Sequence, residues 1–214
     1  MQLYEFPPTR SQRAKWALEE LEIPYSSHKV DLSQGQQNSD AYRAIHPLGV
    51  VPALETDHYT IFESVAIVLQ LIDEHPEKKL APPIGTPERA NYYQWSVFAC
   101  AELDPSIMLV FDNTMRPEAT HDPERAARGR RDFAIRADVL SKALRDRDYL
   151  LGSDFSGADI QVGHSCFMAA NNGLLEGHPE LEAYYKRLQK RPGHQRAYGP
   201  SPLAAAPDLI AGKN

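Results

Sequence analysis

Val51-Pro52-Ala53-Leu54, with Glu63-Ser64 following at the head of an apolar helical run, is the stretch on which the fold of this chain turns. A proline between the apolar residues Val51 and Ala53, directly before a strand, reads as a bond held at a turn, with cis and trans isomers both open. Such a turn leaves the preceding main chain free to pair with a ligand. An acidic residue and a hydroxyl at a helix start offer a second polar grip. Together they predict a site for an extended, peptide-like ligand.

Working outward, Leu3–Phe6 reads as a short apolar strand. Ser11–Leu21 follows with helical spacing of Ala14, Trp16, Ala17, Leu18 and Leu21 before Ile23-Pro24 ends it. Ser27–Leu32 is the next strand, and a strand–helix–strand unit implies a parallel pair with a right-handed crossover. Residues 33–49 are polar and punctuated by Gly and Pro, with a short helix near Ser39–Ile45. Ala53–Glu55 and Tyr59–Phe62 form a hairpin around Thr56-Asp57-His58. Val65, Ile67, Val68, Leu69, Leu71 and Ile72 then make a strongly apolar helix, which gives the order βαβ-ββα.

Beyond it the composition changes. Pro76, Pro82, Pro83, Gly85 and Pro87 mark an interdomain linker over residues 77–86, between an α/β domain at 1–76 and an all-helical domain at 87–214. Helices are expected over 88–112, 123–146, 157–172 and 179–190, with Pro105 kinking or dividing the first. Ser156 and Asp159 have capping-box spacing, and Phe155 and Ile160 are placed as a hydrophobic staple for a buried helix. Gly199–Asn214 reads as a tail draped on the surface or frayed.

The 214 residues are 42% hydrophobic, enough for a sizeable core, and the net charge of −6 argues against nucleic acid or an anionic membrane surface as partner. Arg125–Arg131, flanked by Glu124 and Asp132, is a solvated helix face. The N-terminus has neither a basic region nor a long apolar run, so no secretory signal or membrane anchor is expected and the protein is placed in the cytoplasm. Cys100 and Cys166 form neither a CxxC pair nor a metal-ligand cluster, and both are expected as buried apolar fillers, with no metal bound.

The first strand–helix turn, Phe6-Pro7-Pro8-Thr9-Arg10-Ser11-Gln12-Arg13, has Thr9 and Gln12 in capping-box spacing, so Thr9 could simply satisfy helix-end N–H groups. The same hydroxyl, beside Arg10 and Arg13, could instead hydrogen-bond a bound thiolate. A free thiol titrates near pH 8.5; lowering that by about 1.5 units raises the thiolate fraction at neutral pH from a few per cent to roughly half.

Leu3-Tyr4, Thr9, Arg13, Leu18-Glu19-Glu20-Leu21, Val51-Pro52-Ala53-Leu54, Glu63-Ser64 and the Ser156–Asp159 element occur in the order and spacing of cytosolic glutathione transferases, which the chain resembles over nearly its whole length. The resemblance is strong in residues 1–75 and rests afterwards on helical pattern and the capping element. Residues 30–37 and Pro47-Leu48-Gly49 through Glu63-Ser64-Val65-Ala66-Ile67 look most like the theta class and its bacterial relatives. It implies a thioredoxin-like α/β N-terminal domain, an all-α C-terminal domain, and a cytoplasmic detoxifying homodimer that binds no metal, nucleic acid or membrane.

The resemblance also implies a reaction: activation of the thiol of glutathione, the co-substrate, and its conjugation to small apolar electrophiles. Peroxide or disulfide reduction would use the same thiolate. The activating serine of theta enzymes falls on Thr9, with Ser11 as the rival hydroxyl. Val51, before Pro52, would pair with the cysteinyl part of glutathione, Glu63 and Ser64 would hold its γ-glutamyl end, and Gln37 falls where theta enzymes place a histidine near the glycyl carboxylate. The electrophile pocket would lie between the domains, with Phe6, Pro8 and Trp95 on its wall and Tyr92, Phe98 and Phe111 available nearby.

One departure stands out. Relatives often carry lysine directly before the Val-Pro pair, and this chain has Val50. Losing a charged contact to the glycyl carboxylate would weaken binding by about 1.5 to 3 kcal/mol unless Arg10, His46 or a second-subunit residue replaces it. Thr9 for serine and Val50 for lysine leave open a non-catalytic binding or assembly module on the same fold. The lack of a cysteine in the first turn argues against a third reading, a thioredoxin-like redox protein.

Overall fold

In the computed structural model, which describes residues 1–115 and 117–199, the chain divides into two compact units, one of residues 1–78 together with the segment beginning at Arg191, the other of residues 79–190. In the first unit, strand β1 (Gln2–Glu5) leads into helix α1 (Ser11–Leu21) and returns as β2 (Ser26–Lys29). Helix α2 (Asp40–Ile45), strands β3 (Ala53–Glu55) and β4 (Thr60–Phe62) and helix α3 (Ser64–Asp73) follow. The sheet order is β2-β1-β3-β4, with β1 parallel to β2 and antiparallel to β3, and β3 antiparallel to β4. The βαβ-ββα order read from periodicity is therefore the observed one.

Two strands are shorter than expected, for local reasons. β2 ends at Lys29 because Asp31 accepts the Ser33 N–H at 3.0 Å and starts a tight helical turn at Leu32. β4 starts at Thr60 because the Tyr59 carbonyl closes the hairpin turn by accepting the Thr56 N–H at 2.9 Å. Side chains alternate across the sheet, so Leu3 and Leu54, paired in register, share a face and are fully buried with Trp16, Leu18, Ile67 and Leu71 of α1 and α3. On the opposite face Tyr4 and Ala53 pack with Val30 and with Tyr42 of α2.

The second unit contains α4 (Pro87–Phe98), a π-helical segment (Ala99–Leu103), α5 (Asp104–Met115), α6 (Pro123–Leu144), α7 (Gly157–Asn171) and α8 (Pro179–Gln189). Pro105 does divide the first helical stretch: having no N–H, it cannot donate to Ala101, and the wider π-helical turn lies just ahead of it. The Ser156–Asp159 capping box is formed. The Asp159 carboxylate accepts the Ser156 N–H at 2.8 Å and also serves the Leu150 N–H and the Tyr184 hydroxyl, fixing how the almost wholly buried α7 starts. Phe155 and Ile160 are both buried. Cys166 is buried, its thiol pushed up to about 12 by desolvation, but Cys100 is exposed, contrary to expectation: position 100 falls on the outward side of the long helix.

Composition placed everything from residue 87 in one helical domain, whereas helix α9 (Pro192–Tyr198) groups with the first unit and packs on α1. No hydrophobic period announces so short a helix. Charge and ring contacts hold it instead: Arg191 reaches both oxygens of Glu20 at 2.9 and 2.8 Å, and Arg196 reaches Glu19 at 2.6 Å. At Gly193 an added Cβ would come within 2.6 Å of the Glu20 side chain, which would have to shift to make room. The expected tail lies, after Gly199, outside the described residues.

His194 in α9 stacks on Tyr198 and meets Trp16 edge-on. Burial pushes its pKa from 6.5 down to about 4, against the pull of Glu20. The native state thus refuses a proton that the unfolded chain takes up below about pH 6.5. This group's contribution is complete above that pH and is lost as pH falls toward 4. Unfolding free energies measured in urea at neutral and mildly acidic pH are expected to show a decline of at most ~3 kcal/mol from this group. A His194→Phe variant should lack that part of the slope.

Candidate active site

Helix α3 begins at Ser64, and its first carbonyl-answered amide is that of Ile67, which donates to Glu63 at 2.9 Å. The amides ahead of it point out of the helix end, with no acidic side chain in the first turn and no side-chain cap from Glu63. That end is built to receive an anion. Arg13 of α1, fully buried, brings its Nη1 to 3.5 Å from the Ser64 hydroxyl. A cation beside a helix N-terminus adds to the positive potential there. Glu63 enters the helix at φ 74°, in the left-handed region that a side chain avoids.

Val51 lies just ahead of β3, outside the ladder, and the Val51-Pro52 bond is cis, as is Pro7-Pro8. Its neighbour's carbonyl is held: the Tyr42 hydroxyl donates to the Val50 oxygen at 2.7 Å. Val51 is half-buried and Pro52 buried.

In the first turn the expected Thr9–Gln12 capping box is not formed. Arg10 is already helical, so the Thr9 carbonyl itself accepts the Gln12 N–H at 3.1 Å and the Thr9 hydroxyl turns to Ser11. Thr9 Oγ1 accepts the Ser11 N–H at 3.2 Å, and the two hydroxyl oxygens lie 2.9 Å apart. Ser11 Oγ accepts the Phe6 N–H at 3.2 Å and is fully buried, whereas Thr9 is half-buried. Tyr4, the other hydroxyl nearby, donates to Glu55 at 2.9 Å, and burial and that carboxylate both raise its pKa.

Thr9, Ser11, Gln37, Val51, Pro52, Glu63 and Ser64 all belong to the first unit. Gln37 gives its Nε2 to the Leu32 carbonyl at 3.4 Å, while its Oε1 is buried and has no hydrogen-bond partner. Of the residues assigned to an electrophile, Phe6 is buried and Pro8 half-buried in the first unit. Trp95, in the second, is buried edge-on to Phe98 and lines a cavity of about 270 Å³ whose other walls include Glu88, Gln94 and Arg147. Tyr42 was missed by sequence reasoning, which saw only a short helix there; the alternation that puts Tyr4 and Ala53 on one face could have flagged it. Among the described residues no helix is long and apolar enough to cross a membrane, and no group of three or more His, Cys, Asp or Glu could hold a metal.

The strained φ of Glu63 gives a test of whether it serves the fold or the site. A Glu63→Gly substitution removes a conformational cost of about 1 to 3 kcal/mol and adds chain entropy of somewhat under 1 kcal/mol to the unfolded state. Its unfolding free energy should equal or exceed that of the parent in chemical denaturation. A loss of about 2 kcal/mol would instead assign Glu63 a structural task.

Residues 1–72 match the family described as glutathione S-transferase, N-terminal domain. Glutathione S-transferase theta-1 of Rattus norvegicus is 29% identical over 178 residues, 80% of this chain and 74% of that protein. Among solved structures, the ternary complex of BphK, a bacterial GST, is 31% identical with a TM-score of 0.82, covering 92% of this chain and 97% of that one. A sphingomonad glutathione S-transferase complexed with glutathione is 28% identical with a TM-score of 0.80, covering 92% and 96%. With the four-stranded β2-β1-β3-β4 sheet in place and a bacterial glutathione S-transferase of 31% identity matched over 92% of this chain and 97% of that one, the chain belongs to the glutathione S-transferase family.

Proposed function

We propose that this enzyme binds glutathione along Val51, ionises its thiol against Thr9 and adds the sulfur to a small apolar electrophile. The observation that carries the thiol chemistry is the ordering of two hydroxyls. Ser11 is fully buried with its hydroxyl 2.9 Å from that of Thr9, and in this proposal the Ser11 proton is given to Thr9 Oγ1. With the Ser11 N–H also donated to that oxygen, the Thr9 proton is left to point outward, toward a ligand sulfur. A donor fixed before the ligand arrives stabilises a thiolate without reorganisation cost.

The γ-glutamyl carboxylate then sits at the α3 N-terminus near Ser64 and Arg13, its ammonium beside Glu63, and the cysteinyl amide pairs with Val51 before Pro52. The thiolate sulfur forms the new bond to carbon as the leaving group departs. Phe6, Pro8 and Trp95 are assigned to the electrophile. A cytoplasmic homodimer acting in detoxification completes the proposal.

The test is steady-state conjugation of a generic aryl halide. Thr9→Ala is expected to lower kcat/KM about 10² fold and to move the kinetic thiol pKa upward. Thr9→Ser should keep most of the activity, and Ser11→Ala should lower kcat more than it raises KM, since it only orients Thr9. Full activity in Thr9→Ala would remove Thr9 from the mechanism. Glutathione binding without turnover on a broad electrophile and peroxide panel would leave a binding module.

A further inference from the structure

We infer that the site does not read the charge at the glycyl end of its thiol, and accepts γ-glutamyl-cysteinyl peptides whose third residue ends in a neutral amide or ester as readily as glutathione itself. The inference rests on the proposed binding of glutathione along Val51. With the γ-glutamyl end at Ser64, the chain leaves Val51 on the side of Val50. Gly49 packs there directly on the Gln37 main chain, where an added Cβ would stand 2.6 Å from the Gln37 carbonyl oxygen. The ligand's third residue therefore meets Gln37, Leu48 and Val50.

None of these is a cation, and two are exposed apolar side chains: Leu48 is 68% and Val50 47% exposed. Between Val30 and Pro52 the chain carries one arginine and no lysine. That arginine, Arg43, braces its own loop by donating to Asn38 Oδ1 at 3.0 Å and to the Pro47 carbonyl at 3.3 Å. His46 is buried against Phe62, and desolvation lowers its pKa, so it is neutral at neutral pH. A carboxylate arriving at this rim gains no charge partner from residues 30–52.

Gln37 points the same way. Its Nε2 is directed at the Leu32 carbonyl, which orients the amide and leaves Oε1 as a buried, unpartnered acceptor. With its Nε2 spent on that carbonyl and its Oε1 covered, the Gln37 amide offers an arriving carboxylate no free donor. An amide or ester cap removes the charge and packs on the exposed Val50 and Leu48.

Titration calorimetry of the full chain with glutathione, its glycyl amide and its glycyl ethyl ester tests this. Both capped thiols are expected to bind with Kd values no more than fivefold weaker than glutathione. Installing a cation by Val50→Lys, at an exposed position, should shift the preference toward glutathione over the ester by at least fivefold. Capped thiols binding more than fivefold weaker than glutathione in the parent protein would overturn the inference, as would an unchanged preference in Val50→Lys. Binding of glutathione but not of its capped forms would leave the proposed function standing. Failure of all three thiols to bind would remove both.

Discussion

The hydroxyl of Tyr42 donates to the Val50 carbonyl at 2.7 Å, and the main chain just ahead of Pro52 is thereby held clear of the sheet while β3 begins one residue later. The rest of the first unit is arranged around that free stretch of backbone. Tyr42 can reach it because α2 lies across the face that Tyr4, Val30 and Ala53 present. The pairing of β3 between β1 and β4 fixes where Val51 must stand. A ligand that adds main-chain hydrogen bonds there gains affinity from the backbone and leaves specificity to its ends.

Those ends meet opposite environments. At one, the first amides of α3, the buried guanidinium of Arg13 and the Ser64 hydroxyl lie together, a positive helix end beside a cation. At the other, the side chains are neutral or apolar and the single arginine of the segment is spent on its own loop. Between them the first turn sets a half-buried hydroxyl beside a buried one, 2.9 Å apart.

A large part of this was legible in sequence. Strand–helix–strand order followed from hydrophobic period, because period 2 and period 3.6 report which face is buried irrespective of the partner. The breaks at Pro24 and Pro105 and the capping box at Ser156 and Asp159 were visible for the same local reason: proline geometry and side-chain capping act over a few residues. Strand ends were less legible, since Asp31 and Tyr59 end strands through turns whose hydrogen bonds compete with the ladder. The exposed Cys100 and the absent Thr9–Gln12 capping box mark the same limit. In both, a local pattern was overridden by how the helix is oriented or entered.

Sequence by itself therefore determined the order of the elements, the placement of Val51-Pro52 and Glu63-Ser64 at turns, and the candidate hydroxyls Thr9 and Ser11, because each depends on residues close along the chain. Tertiary structure alone decided which of those hydroxyls is covered, that Tyr42 braces Val50, that Arg13 arrives at Ser64, and that α9 returns to pack on α1 through Glu19 and Glu20. These join residues distant in sequence, and a charge or hydroxyl read along the chain does not say which of many partners it meets; only the packing of the sheet and its helices makes that choice.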